Sequence, residues 1–295
     1  MNDPNGFLNI NKIQGCTSHD CVKEIRRIFN IRKVGHTGTL DPEVSGVLPI
    51  AIGNATRFIQ YLPQIKTYFG IIQLGIKTNT DDIHGAIIKK KNWPILSIGE
   101  LDTYLNNFRG IIQQVPPRVS SVHINGERAY KKSLRNEEFK LKPREVNILD
   151  LQLKEWDQKK GLLHISVKCS SGTYIRSIAR DLGLSIGTEG CLFYLERTES
   201  SGFEIKQSIS IDELNKKGEK IHDCIIPINK TLNHLPSFTI KDNNDIYYWE
   251  TGRKIKYSEE TIFNKTNLSQ ISVKVLDSSN KLLGIGIFEK GDISY

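Results

Sequence analysis

The sequence has no long apolar run. Its hydrophobic stretches last only a few residues, far short of the roughly 20 that a transmembrane helix needs. The opening Met1-Asn2-Asp3-Pro4-Asn5-Gly6 lacks the basic and apolar regions of a secretory signal. Both absences lead to the expectation of a cytoplasmic protein with no membrane contact. Cysteine is sparse and odd in number: Cys16, Cys21, Cys169, Cys191 and Cys224. A disulfide framework wants an even, dense set, and a structural zinc site wants two closely spaced pairs. Cys16 and Cys21 have no second pair to complete four ligands, so buried reduced thiols and no metal are expected. A P-loop, a dinucleotide fingerprint and repeats of solenoid spacing are also missing. Nucleotide-cofactor enzymes and repeat scaffolds therefore find no support.

What is present is ordinary for a globular chain: 38% hydrophobic and 25% charged residues in 295. That length accommodates one large domain and a small one. The net charge of +8 permits a polyanionic partner, and its distribution says more than its size. Arg128, Lys131, Lys132, Arg135, Lys140, Lys142 and Arg144 crowd one polar stretch, against Glu127, Glu137 and Glu138. Tyr130 and Phe139 are interleaved with them. Such a stretch suits a surface that tracks a nucleic-acid backbone and stacks bases; a solvated helix or loop face is the plain alternative.

Helix signals come from caps and periodicity. Ser97 and Glu100 have capping-box spacing, followed by Ile98, Leu101, Leu105 and Phe108 at helical intervals, with Gly110 placed to close the helix. Ser210 and Glu213 repeat the pattern. Two more helices are predicted over residues 18–29 and 174–182, the second ended by Gly183. Residues 68–74, 146–153, 162–168 and 192–197 read as strands joined mostly by brief turns. An α+β fold on a mixed, largely antiparallel sheet follows. Leu235-Pro236-Ser237 reads as a linker, and strand signals at 271–276 and 282–288 mark a small β domain after it. The division is 1–235 and 236–295, with an insertion at about 126–145.

The most informative run is Gly35-His36-Thr37-Gly38-Thr39-Leu40-Asp41-Pro42, continuing to Gly46-Val47-Leu48-Pro49-Ile50. Two glycines and a proline in eight residues are expected to hold Asp41 on a constrained hook. Asp-Pro alone usually just starts a turn. The whole run, however, resembles the signature G-H-x-G-x-L-D-P-x-x-x-G-x-L-P of the TruB family of pseudouridine synthases. Other blocks agree in order: Gly6-Phe7-Leu8-Asn9-Ile10-Asn11-Lys12, Lys66-Thr67-Tyr68, Gly172-Thr173-Tyr174-Ile175-Arg176 and Tyr194-Leu195-Glu196-Arg197-Thr198. The resemblance is strong over residues 6–205 and weak in the tail. Departures fall at Ile13 (family proline), at Asn79 and His84 (family acids), and at Val119 and His123 (family aromatic and lysine).

The resemblance implies the pseudouridine synthase fold with a PUA-like RNA-binding tail, and an isomerase that converts uridine at position 55 in the T-loop of tRNA to pseudouridine. The base is cut at N1, turned and rejoined through C5. No cofactor is implied, and the protein is expected to act as a monomer with no obligate protein partner. Asp41 is the implied catalytic carboxylate, as nucleophile at C1′ or base at C2′. Arg176 is implied to hold it ionised by a charge-assisted hydrogen bond, with an ion pair to Asp181 as the plain alternative. Tyr68 is implied to stack on the everted uracil and shuttle the C5 proton, Leu195 to cover the other face, and Tyr174 to shape the pocket. His36 is expected to enter the gap in the RNA stack. Lys12, Arg128, Lys131 and Lys132 are expected to bind RNA, gripping the tRNA elbow by phosphate and shape contacts. The rivals are a non-catalytic RNA-binding protein, a guide-RNA-dependent relative and, distantly, a glycoside hydrolase.

Overall fold

The computed structural model describes residues 4–256, 271–289 and 292–294. Strand β1 (Gly6–Lys12) leads into helix α1 (Ser18–Phe29). Thr17 caps the helix: its hydroxyl accepts from the Asp20 amide, and Asp20 accepts from the Thr17 amide at 3.0 Å. This is a capping box with aspartate where glutamate is more usual. Strands β2 (Val34–His36), β3 (Ser45–Ile52) and β4 (Ile65–Leu74) follow, then helix α2 (Ile98–Asn106) and β5 (Gly110–Gln114). The chain continues through β6 (Arg144–Asp157), β7 (Leu162–Ser170), helix α3 (Ile175–Ser185), β8 (Gly190–Ser200) and β9 (Phe203–Glu204).

These strands form one nine-stranded sheet in the order β1-β3-β8-β4-β7-β6-β5, with β2 beside β3 and β9 beside β8. The ladders are antiparallel except where β3 meets β8, which run parallel at Ser45–Glu196 and Gly46–Arg197. The mixed, largely antiparallel α+β sheet read from the sequence is therefore present. Strand β3 is apolar along almost its whole length because both its faces are covered. Leu48, Ile50 and Ile52 join the core beneath the helices, with Ile25, Leu101, Ile178 and Leu182. Val47 and Ala51 point the other way, against Phe7, Ala55 and Phe203.

Both capping boxes predicted from Ser97 and Ser210 form. Two glycines behave differently from expectation. Gly110 is left-handed (φ 80°), but it opens β5 rather than closing α2, which ends at Asn106. Gly183 lies inside α3 rather than after it. A Cβ there would sit 2.4 Å from the Gly190 amide nitrogen, so this glycine serves close packing of helix on strand. Cys21, Cys169 and Cys191 are buried, whereas Cys16 and Cys224 are only half-buried.

Near the end of the chain, β10 (Ser237–Thr239), helix α4 (Asn243–Glu250), β11 (Ile255–Lys256), β12 (Ile271–Leu276), β13 (Leu282–Glu289) and β14 (Asp292–Ser294) make a second sheet, ordered β10-β12-β13-β14-β11. It has its own core of Phe238, Trp249, Val273, Val275 and Phe288. Helix α4 is absent from the sequence reading, and Ser237 begins a strand rather than ending a linker. Leu282 and Ile285 join the Phe7–Val47 cluster of the large sheet. Within the expected 236–295 unit, residues 257–270 lie outside the described residues.

Candidate active site

Asp41 stands on the hook of residues 37–44, which connects β2 to β3. Gly35 and Gly38 do not adopt left-handed φ, so glycine backbone geometry is not what stiffens it. The hook is held by bonds from three directions. From α1, Ser18 Oγ accepts from the Leu40 amide at 2.8 Å. From the end of β1, Lys12 Nζ donates to the Pro42 carbonyl at 3.1 Å, beside a Gly15 amide bond to the same oxygen at 3.0 Å. From β8, Arg197 donates to the carbonyls of Gly38 at 3.0 Å and Val47 at 2.7 Å. Gly46 makes the last approach possible. Its φ of 108° is unfavourable for other residues, and a Cβ would lie 2.3 Å from the Arg197 carbonyl oxygen.

The end of α3 nearest the hook supplies Arg176. Its Nη2 lies 2.8 Å from Asp41 Oδ2, and its Nη1 lies 3.4 Å from Asp82 Oδ2. The same guanidinium donates to the carbonyls of Thr80 at 2.9 Å and Val119 at 3.0 Å. Its side chain is 7% exposed, whereas that of Asp41 is 48% exposed. A buried, multiply bonded cation thus presents an accessible carboxylate. The alternative partner for Arg176 is excluded: Asp181 pairs with Arg180 at 2.8 Å, and Arg180 also holds Asp81 at 2.8 Å.

A cavity of about 140 Å³ opens over this pair, lined by Asp41, Glu43, Asp82, His84, Arg176 and Leu195 among others. Drug-sized sites run to about 300–1,000 Å³, so this one suits a single flat ring. Leu195 enters it because its cross-strand partner is Gly70; a Cβ there would be 3.3 Å from Leu195 Cδ1. Tyr68 lies beneath, 7% exposed, between Arg197 and Val167 in the sheet and outside the cavity lining. Burial pushes its phenol above the ordinary tyrosine range, the nearby Asp41 charge adds to the rise, and the Arg197 charge opposes it. Tyr174 is half-buried at the cap of α3, where its backbone bonds the Gln114 amide at 2.8 and 3.1 Å; it does not line the cavity.

His36 is half-buried on β2, with Nδ1 buried and unpartnered among the described residues. Burial, then the Arg197 charge, lowers its pKa and favours neutral imidazole. Lys12 corrects the sequence reading. It is 1% exposed and spends its ammonium on the carbonyls of Ile13, Cys16 and Pro42; a side chain so enclosed braces the hook and has no surface for RNA. In the basic stretch, a ribbon of His123–Ile124 and Glu127–Arg128 precedes a helix over Ala129–Leu134. Arg128 and Lys131 are exposed there. Lys132 and Arg135 are bound by Glu127 and Glu137, so part of the expected positive charge is already neutralised.

Residues 26–175 match the profile described as TruB family pseudouridylate synthase, N terminal domain. A protein of Prochlorococcus marinus (strain MIT 9301) named tRNA pseudouridine synthase B is 58% identical over 294 residues, 98% of this chain and 95% of that protein. One of the same name from strain NATL1A is 46% identical over 98% and 96% of the two chains. The chain belongs to the TruB family. Among solved structures, a Cbf5-Nop10-Gar1 complex has a chain 26% identical, with a TM-score of 0.72 over 96% of this chain and 78% of that one. An H/ACA RNP bound to a substrate RNA containing 2′-deoxyuridine shares the fold at 24% identity and a TM-score of 0.73, over 96% and 78% of the two chains.

Set against the TruB pattern, the departures are mostly benign. Val119 serves through its carbonyl, which any residue supplies. Asn79 Oδ1 accepts from the Ala86 amide at 2.9 Å and so holds its turn. Ile13 is exposed. His84 faces Glu43 across the mouth of the cavity at 3.9 Å. Sequence reasoning missed Asp82 and Arg197 as members of the site. Asp82 sat in a recognised acidic block, whereas Arg197 gave no local sign that a strand arginine would be fully buried.

Proposed function

We infer that the chain isomerises uridine in tRNA to pseudouridine, at position 55 of the T-loop, with Asp41 as the group that acts on the sugar. The observation that carries this reading is the Arg176–Asp41 pair at 2.8 Å under a cavity of single-ring size. The guanidinium orients the carboxylate by a charge-assisted bond, while the exposed side of Asp41 faces an incoming nucleoside. Leu195 covers one face of the base. Tyr68 is the residue assigned to stack on the base, although it lies beneath the cavity and not in its lining; its raised pKa makes it a poor free base for the C5 proton. The N1–C1′ bond breaks, a C5–C1′ bond forms, C5 loses a proton and N1 gains one, so the exchange balances with no added group. The base must leave its stack to reach Asp41, and His36, at the end of β2 just before the hook, is the residue assigned to fill the gap.

Residues 1–235 are taken as the catalytic unit, with Arg128 and Lys131 gripping RNA from the insertion at about 126–145. Residues 236–295 are taken as a small PUA-like RNA-binding unit, a reading supported by the separate Trp249 core. The protein is proposed to act in the cytoplasm as a monomer without guide RNA or protein partner. The test is incubation of the purified chain alone with an unmodified T-arm transcript. Pseudouridine at position 55 is expected. Product only when guide RNA and partner proteins are added would replace this reading with the guided one.

A further inference from the structure

Four cations surround the hook, and three are answered. Lys12 is answered by the carbonyls of Ile13, Cys16 and Pro42. Arg176 is answered by Asp41 and Asp82. Arg197 is answered by the carbonyls of Gly38, Thr39 and Val47 and by the Tyr68 phenol. The fourth is Lys66, on β4 two residues before Tyr68. Its ammonium rests against the hook itself, where a Cβ on Gly38 would lie 2.9 Å from Nζ and 3.4 Å from Cε. A side chain at position 38 would push against the ammonium, which as the end of a flexible chain could move aside. Among the described residues Lys66 takes part in no ion pair and no side-chain hydrogen bond.

The surroundings offer no hidden counter-charge. The charged and titratable groups that act on Lys66 are Arg197, which repels it, and the Cys169 thiol; Asp41 is not among them. Burial pushes that thiol up to about 11, so it stays neutral near pH 7. His36, which feels the Lys66 charge, is itself held toward neutrality. The Nδ1 of His36 and the Oγ1 of Thr37 are buried and lack partners, as Lys66 does. An enclosed ammonium without an anion is costly to maintain, and burial with Arg197 lowers its pKa to about 8. Lys66 itself is only half-buried, so its unneutralised positive charge beside the hook is complementary to an approaching oxyanion.

We propose that Lys66 forms a phosphate subsite that takes a backbone phosphodiester next to the everted nucleotide. This rests on the proposed RNA substrate and names a contact separate from the Arg176–Asp41 pair. One fixed phosphate would set how far the hook enters the RNA, so that the base swings toward Asp41 rather than past it. Lysine suits the task because it meets phosphate as a point charge and needs no planar fork.

The test is an equilibrium titration of wild type, Lys66→Gln and Lys66→Arg with a T-arm hairpin, from about 50 to 200 mM salt. Losing one phosphate contact should lower the slope of log Kd against log salt by about 0.7–0.9 and weaken binding about tenfold for Lys66→Gln at the lower salt. Lys66→Arg should recover most of both. In turnover, the loss should fall chiefly on KM. Wild-type affinity and slope in a folded Lys66→Gln would overturn the proposal, as would weakened binding with an unchanged slope. Pseudouridine formation by the wild type is scored separately. A hairpin that binds with the expected slopes but yields no product would count against the proposed reaction and leave the subsite standing.

Discussion

The buried Arg176 guanidinium holds half-exposed Asp41 at 2.8 Å and Asp82 at 3.4 Å. One cation therefore fixes two carboxylates that approach it from different loops, and it also satisfies two backbone carbonyls. Only a planar, multiply donating group can serve all four. Arg176→Lys is expected to lower the single-turnover rate by about 10²-fold or more, as loss of one preorganised donor does elsewhere. RNA affinity should change far less, because the guanidinium is 7% exposed. A rate within twofold of wild type by rapid quench would remove Arg176 from the chemistry.

Lys12 looks like a surface cation in the sequence but braces the hook from inside. Lys12→Met leaves the Cys16 carbonyl without its side-chain donor, while Ile13 keeps the Cys16 thiol and Pro42 keeps the Gly15 amide. A loss of about 1–3 kcal/mol in unfolding free energy is expected, the cost of one buried unsatisfied group. Denaturant titration measures it. The salt dependence of RNA binding should keep its wild-type slope; a flatter slope would return Lys12 to the RNA surface.

Lys66 gives a pH-dependent signal of opposite sign to an ordinary ion pair. Its pKa falls from 10.5 to about 8 on folding. Below about 8 it is charged in both states and its burial penalty is fully present. Between about 8 and 10.5 the unfolded chain binds more protons, so this residue's contribution to stability rises with pH. Lys66→Met should therefore melt above wild type near neutral pH, with the gap narrowing as pH climbs through that window. Paired thermal melts across the window test it. A wild type more stable than the variant throughout would show that Lys66 has an internal partner.

Gly46 tests the geometry that carries the hook. Gly46→Ala places a Cβ 2.3 Å from the Arg197 carbonyl at a φ of 108°. Strain and overpacking each cost about 1–3 kcal/mol, so Tm should fall by several degrees and turnover with it. Unchanged melting would mean that β3 and β8 separate without penalty.

Local rules were readable in the sequence. Ser97 with Glu100 and Ser210 with Glu213 close their boxes within three residues, so spacing alone reveals them. The alternation of Leu48, Ile50 and Ile52 against Val47 and Ala51 likewise follows from the pleat. What the chain hid are relations made only by topology. Gly183 looked like a stop signal because its true neighbour, Gly190, lies across a helix–strand contact. Arg197 is buried against carbonyls some 150 residues away, which no pattern of spacing encodes. Asp41 and Arg176 were identified by resemblance, but their meeting, and the sharing of Arg176 with Asp82, came only from the packing of α3 beside the hook.

The central claim is that the Asp41 carboxylate performs the glycosidic step. Asp41→Asn keeps the shape of the side chain and removes its charge, so it separates chemistry from binding. In single-turnover reactions with a saturating T-arm transcript, the variant should form pseudouridine at least about 10⁴-fold more slowly, as loss of an essential catalytic side chain does elsewhere. Its Kd should stay within about threefold of wild type, because the residue acts on the bound nucleoside. Pseudouridine formed by Asp41→Asn at the wild-type rate would contradict the account.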